Sequence, residues 1–202
     1  LRVTFLDNHD VPRFLAEARA GTPGAELEAR YVLALALLYT LPGIPQVYMG
    51  DELGMIGAPP DHRRDMPAWA FTAEGREKAA GTPGYVPRPA HVFSVVQRLA
   101  ALRRRHGALV DGGYDELHRP AGGANSFAFL RRQGPEAVLV VVHDGAAGLP
   151  LSVPVGSAFA DGTALEDGLD EGGPPRVVVR GGRVEIGRTG RFAAVYAPAV
   201  PR

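Results

Sequence analysis

Twenty consecutive residues, Tyr31 to Gly50, carry no charge. That run constrains the fold more than any other feature of the chain. Roughly 20 apolar residues span a bilayer as a helix. Here, however, Pro42, Gly43 and Pro45 break the run and Gln46 follows them, so it reads as a buried helix, a turn and a short strand. Thr22-Pro23 upstream supplies a capping hydroxyl and a proline for the first helical position. From Ala25 to about Leu41 the sequence is apolar on almost every helical face after Arg30. A helix of that kind is packed on both sides. Residues 2–8, RVTFLDN, read as a buried strand ending near Asp7, and Ile44 to Met49 as a second. Strand, helix and strand in that order form a βα unit feeding a parallel sheet. The chain opens at Leu1, inside the first strand and without a basic leader, and so reads as a piece of a longer protein.

Residues 50–90 show little periodicity and much glycine and proline. A segment of that kind and length is usually functional. A helix is expected from about Pro89 to His106, with Val92, Val95, Val96, Leu99 and Leu102 at helical spacing. Arg103, Arg104 and Arg105 complement the dipole of its last turn, and Gly107 is placed for a left-handed cap. Beyond Asp111 short apolar or alternating runs lie between turn signals: 126–132, 137–143, 149–155, 176–180, 184–187 and 192–197. Strands at this pitch without helices predict an antiparallel β-sandwich, with a domain boundary near residue 110.

The 202 residues suffice for one large domain or two small ones. Twenty-two basic and 22 acidic side chains leave no net charge, which argues against nucleic acid and against an anionic membrane surface as partners. The absence of cysteine excludes disulfides and thiolate metal sites.

Three polar clusters are able to carry chemistry. Asp7-Asn8-His9-Asp10 follows the first strand, at the edge of a parallel sheet where active sites are built. A carboxylate beside an imidazole orients a polyhydroxy substrate or stabilises developing positive charge, but Asp10 is equally suited to capping the turn before Pro12. Gly50-Asp51-Glu52 follows the second strand and reads by itself as a turn with two solvated acids. Asp61-His62-Arg63-Arg64-Asp65-Met66, with Trp69 and Phe71 behind it, offers forked cations and flat rings that suit sugars, or forms a surface salt-bridge cluster. His62 has no second ligand at a metal-binding spacing.

In order, "VTFLDNHDVPRF", "GIPQVYMGDELGM" and "DHRRDMPAW" resemble the α-amylase family of glycoside hydrolases, family 13. The "GDELGM…RRDM…W" stretch is most similar to the neopullulanase, cyclomaltodextrinase and maltogenic amylase subgroup. The resemblance implies that residues 1–110 are the last two β/α units of a (β/α)8 barrel, and that 111–202 are the β-sandwich domain that follows it. It implies that Asp10 is the carboxylate that stabilises the transition state, that His9 binds the same sugar, and that Arg63 binds a sugar on the non-reducing side. The subgroup pairs that arginine with a D-P-D-like stretch, where this chain has Pro59-Pro60-Asp61.

The function so implied is retaining hydrolysis of α-glucosidic bonds in starch-, maltooligosaccharide- or cyclodextrin-type glucans. Such hydrolysis needs a nucleophile and a general acid about 5 Å apart. The family carries both on earlier strands, so the resemblance implies a missing N-terminal barrel portion as partner and no hydrolysis by these residues alone. A glucanotransferase or trehalose-forming enzyme on the same scaffold shares the chemistry up to the glycosyl-enzyme. A non-catalytic carbohydrate-binding module is the remaining alternative, with few aromatic platforms after residue 110 to support it. No cofactor is identifiable. Some members hold calcium, through ligands expected upstream of this chain. An uncovered apolar strand face around Val3, Phe5, Ile44 and Val47 is expected to promote association.

Overall fold

The computed structural model describes residues 2–118, 125–145, 149–188 and 190–199. The chain divides into two compact units, Leu1–Leu38 with Gly43–Arg98, and Tyr39–Pro42 with Leu99–Arg202.

In the first unit, β1 (Val3–Thr4) pairs in parallel with β2 (Ile44–Pro45), Val3 opposite Ile44 and Thr4 opposite Pro45. Between them runs α1 (Gly24–Thr40). This is the expected βα unit. Both strands are shorter than their apolar runs because each has only the other to pair with among the described residues, and Pro45 has no N–H to extend the ladder. The side chains of Val3, Phe5 and Ile44 are 54%, 47% and 45% exposed, so these strands are not buried as their composition suggested. Within this unit α1 buries Tyr31, Val32, Leu33, Leu35, Ala36 and Leu38. It also buries Glu28, which accepts hydrogen bonds from the Arg88 N–H and His91 Nδ1, both at 2.9 Å. Burial works to raise the Glu28 carboxyl, but His91 and Arg88 hold it below its ordinary range.

Residues 50–90 are not structureless. Single 3-10 turns occupy Asp51–Leu53, Asp61–Arg63 and Ala68–Phe71, followed by α2 (Ala73–Lys78), which Thr72 caps by accepting the Gly75 N–H at 3.0 Å. Such turns leave no extended period in the sequence, which is why periodicity did not reveal them.

The division between units falls within α3 (Pro89–Arg105), and the shift in composition near 110 marks where the helices end, at α4 (Gly107–Asp111). Gly107 therefore opens a helix rather than closing one in a left-handed turn. A Cβ there would lie 2.3 Å from Gln133 Oε1, the tip of a flexible side chain that can move aside.

The rest of the second unit is antiparallel. One six-stranded sheet runs β3 (Gly113–His118), β4 (Ser126–Gln133), β5 (Glu136–His143), β10 (Phe192–Pro198), β7 (Ala164–Asp167) and β8 (Arg176–Val178). A second sheet pairs β6 (Leu149–Pro154) with β9 (Arg183–Arg188). One core joins them: Leu130, Leu139, Val141, Ala194 and Tyr196 of the large sheet pack with Leu151, Val153, Val184 and Ile186 of the small one. Each aliphatic side chain so buried contributes about 1.5–3 kcal/mol before entropy is counted. The other face of β4 and β5 packs against α4, so β5 is apolar without alternation.

Two arginines brace the helix ends in this unit. The buried Arg131 donates from Nε to the Gly113 carbonyl (3.2 Å), from Nη1 to Thr40 (2.6 Å) and Leu109 (3.1 Å), and from Nη2 to Gly112 (2.9 Å). Arg103 Nη1 donates to the carbonyls of Tyr39 (2.8 Å) and Leu109 (2.7 Å). Tyr39 and Thr40 are the last residues of α1, whose carbonyls have no partner within the helix.

Candidate active site

Parallel pairing sends both strands into loops at the same edge, so residues 5–14 and 46–57 emerge side by side. Behind that edge lies Arg13, with no exposed surface. Its Nη1 is 3.4 Å from Asp7 Oδ1 and 3.1 Å from Asp51 Oδ1. Its Nη2 donates to the Met49 carbonyl at 2.6 Å and its Nε to the His62 carbonyl at 2.9 Å. The guanidinium also stacks over the Tyr48 ring, 4.2 Å from the centroid. Both carboxylates accept further bonds: Asp7 Oδ2 from the Phe14 N–H (2.8 Å), Asp51 Oδ2 from the Tyr48 N–H (2.9 Å). The Tyr31 hydroxyl donates to the Asp51 carbonyl at 2.9 Å, tying α1 to the same knot.

Two carboxylates around one cation leave an excess of buried negative charge. Burial and then the Asp7 charge push the Asp51 carboxyl up to about 8, against the pull of the Tyr48 N–H and Arg13. Burial, with the nearby carboxylates of Asp51 and Asp7, also raises the Tyr31 hydroxyl. Asp51 is therefore not the solvated turn acid that its tripeptide suggested: the fold places it against an arginine 38 residues away.

In front of this knot the chain is open to solvent. The side chains of His9 and Asp10 are 67% and 71% exposed, with His9 Nε2 3.4 Å from Asp10 Oδ1. An exposed pair at that distance contributes little to stability, so its carboxylate and imidazole are available to a ligand. Asp10 donates its N–H to Asn8 Oδ1 at 2.7 Å. Arg63 is exposed on the Asp61–Arg63 turn, its Nε 3.2 Å from His62 Nε2, and the same His62 nitrogen is 3.1 Å from the His9 carbonyl oxygen. His62 thus lies between the two loops that carry the three residues expected to meet substrate.

Sequence reasoning missed Arg13, Asp51 and His62 as parts of one arrangement. The one available signal was that all three lie in loops following parallel strands. Arg64 is a structural member of the third cluster. It donates to the Ile56 carbonyl (2.8 Å) and Asp61 Oδ2 (2.8 Å), and it stacks over Tyr85, which in turn packs edge-on against Trp69. Among the described residues no three His, Asp or Glu side chains are grouped to hold a metal ion, and no helix is long and apolar enough to cross a membrane.

Residues 1–82 match the family described as alpha amylase, catalytic domain. The chain belongs to the α-amylase family. It is 33% identical to an alpha-amylase of Streptomyces lividans over 174 residues, 81% of this chain and 18% of that protein. It is 34% identical to neopullulanase 2 of Thermoactinomyces vulgaris over 140 residues, 69% of this chain and 20% of the other. Its fold is similar to that of an α-amylase of Geobacillus thermoleovorans solved with acarbose (TM-score 0.73, 22% identity). That match covers 99% of this chain and 39% of the other. The chain thus spans about a fifth of the length of these curated relatives.

Proposed function

We propose that this chain is the C-terminal portion of a retaining glycoside hydrolase that cleaves α-glucosidic bonds in starch-, maltooligosaccharide- or cyclodextrin-type glucans. Residues 1–110 close its catalytic barrel, with β1 and β2 as the last two of eight strands. Residues 111–202 form the sandwich domain that follows it in the chain. The observation that carries this reading is an exposed carboxylate, Asp10, held beside His9 at the carboxyl edge of a parallel strand in an α-amylase-family chain. The exposed Val3, Phe5 and Ile44 support it, as the surface on which preceding strands would pack.

In this reading Asp10 accepts hydrogen bonds from sugar hydroxyls and favours the positively charged, oxocarbenium-like ring as the glycosidic bond breaks. His9 donates to the same sugar. Arg63 reaches a sugar further toward the non-reducing end, its planar fork matched to vicinal hydroxyls. The nucleophile and the general acid come from outside these 202 residues, so the isolated chain does not turn over maltooligosaccharides. Any calcium in the whole enzyme is held by ligands outside this chain too.

The test is Asp10→Asn in the intact enzyme. Loss of a charge that acts chiefly in the transition state lowers kcat by about 10²–10³-fold, with a smaller effect on KM. A variant that keeps wild-type kcat, or turnover by residues 1–202 in isolation, overturns the reading. Incorporation of labelled glucose, added as acceptor, into oligosaccharide products in preference to release by water would replace hydrolysis by glucanotransfer.

A further inference from the structure

The Asp10 side chain projects into solvent, yet the peptide that joins it to His9 is held at both ends. On one side the His9 carbonyl oxygen is 3.1 Å from His62 Nε2. On the other the Asp10 N–H donates to Asn8 Oδ1 at 2.7 Å. A peptide unit is planar, so holding its C=O and its N–H holds the plane, and with it the N–Cα bond from which the Asp10 side chain is hung; only φ and the side-chain torsions then remain to aim the carboxylate.

His62 is itself firmly placed. It is 1% exposed. Its N–H donates to the Ala58 carbonyl at 3.1 Å, and its own carbonyl accepts from Arg13 Nε at 2.9 Å. Arg13 adds a third link between the loops, donating its N–H to the Gly57 carbonyl at 2.9 Å. The imidazole therefore stands on the buried arginine knot and reaches outward to the residue next to Asp10.

Only one ring tautomer serves this arrangement. Nε2 faces the His9 carbonyl, which accepts, and Arg63 Nε–H, 3.2 Å away, which donates. A neutral imidazole satisfies one of these and not the other. Nδ1 is buried and has no hydrogen-bond partner. A proton on Nδ1 would bury a donor with no acceptor and turn a lone pair toward the His9 carbonyl. A proton on Nε2 satisfies that carbonyl and leaves Arg63 free of the ring, on an exposed turn.

We propose that His62 is a positioning residue, whose Nε2–H holds the His9–Asp10 peptide so that the backbone carrying the Asp10 carboxylate keeps its place beside the sugar ring while Arg63 stays available to ligand. This rests on the reading of Asp10 given above. It also assigns a role to a histidine that the sequence placed in the third polar cluster and left without a second metal ligand.

The experiment compares His62→Gln and His62→Glu with Asp10→Asn in the intact enzyme, measuring kcat and KM separately. Glutamine keeps an N–H at similar reach, whereas an ionised glutamate of the same shape has none. His62→Gln is expected to retain kcat within about threefold. His62→Glu is expected to lose about 10²-fold in kcat, the scale of a misplacement near 1 Å, with little change in KM. Equal kcat in the two variants overturns the proposal while leaving the Asp10 reading intact, provided that Asp10→Asn is impaired. Wild-type activity in Asp10→Asn fails the Asp10 reading and removes the ground of this one. Nitrogen-15 spectra of the imidazoles of the unmodified intact enzyme give a check independent of variant folding: protonation of His62 at Nε2 supports the assignment, and a resting Nδ1–H form overturns it.

Discussion

Replacing Arg13 by methionine removes the one cation from a site that also buries Asp7 and Asp51. Methionine fills a similar volume, so the loss is electrostatic rather than a cavity. It deprives two carboxylates of their counter-ion and the Met49 and His62 carbonyls of their donor. Breaking a buried ion pair from one side typically costs about 3–5 kcal/mol. The sign of the pH dependence follows from linkage. The Asp51 carboxyl is already raised to about 8 in the folded chain, against about 4 when unfolded. The folded state therefore binds the extra proton between these values, and stability falls as pH rises through the window. Without Arg13 the pair of carboxyls retains more proton still, and the decline steepens by about 1.4 kcal/mol per pH unit for each further proton held. Urea unfolding of the wild-type and Arg13→Met chains at pH 5, 6.5 and 8 reads this directly. The destabilisation should be smallest at pH 5 and largest at pH 8. A difference below about 1 kcal/mol, or one equal at all three pH values, would refute the account of the knot.

Asp51→Asn mimics the protonated acid and keeps an acceptor for the Tyr48 N–H, so it should flatten the stability profile between pH 5 and 8; an unchanged slope assigns the titration elsewhere. Arg131→Met leaves the Thr40, Gly112 and Gly113 carbonyls without that donor and should cost about 2–4 kcal/mol in denaturant unfolding, the relief of a buried charge offsetting part of the loss. Arg131→Lys should fall between the two, since a single ammonium does not span all of these carbonyls. The chain on its own should bind a hydrophobic dye through Val3, Phe5 and Ile44, and Phe5→Ser should weaken the signal; a dye-silent, monodisperse chain would contradict this.

What could be read from the sequence follows the physics of each element. Helix α1 was legible because nothing charged interrupts it after Arg30, and α3 because its valines and leucines recur at helical spacing. Six of the strands after residue 111 were legible as apolar runs between glycine turns. Strand β3 was not, since most of its side chains face solvent. Strand β7 was not either: it is four residues long and ends in Asp167, an acid that looks like a turn residue. In the fold that carboxylate accepts the N–H groups of Leu169, Asp170 and Val195. The Asp7-Asn8-His9-Asp10 cluster was visible as a local string. The Arg13–Asp51 contact was not, because charges 38 residues apart show no pattern until parallel pairing brings their loops together. His62 was visible as a residue but its contact was not, because a backbone carbonyl as its partner leaves no trace in composition.

The bond from Arg131 to the Thr40 carbonyl closes a span of 91 residues. Ribosomes add about 5 to 20 residues each second, so Thr40 emerges roughly 5 to 20 seconds before the side chain that donates to its carbonyl. Through that interval the Thr40 carbonyl lacks that donor, while the Tyr39 carbonyl waits only for Arg103. A nascent chain of this protein should therefore hold the Thr40 end of α1 more open to proteases until β4 has left the exit tunnel, and a stop codon anywhere before residue 131 would make the loss of that bond permanent.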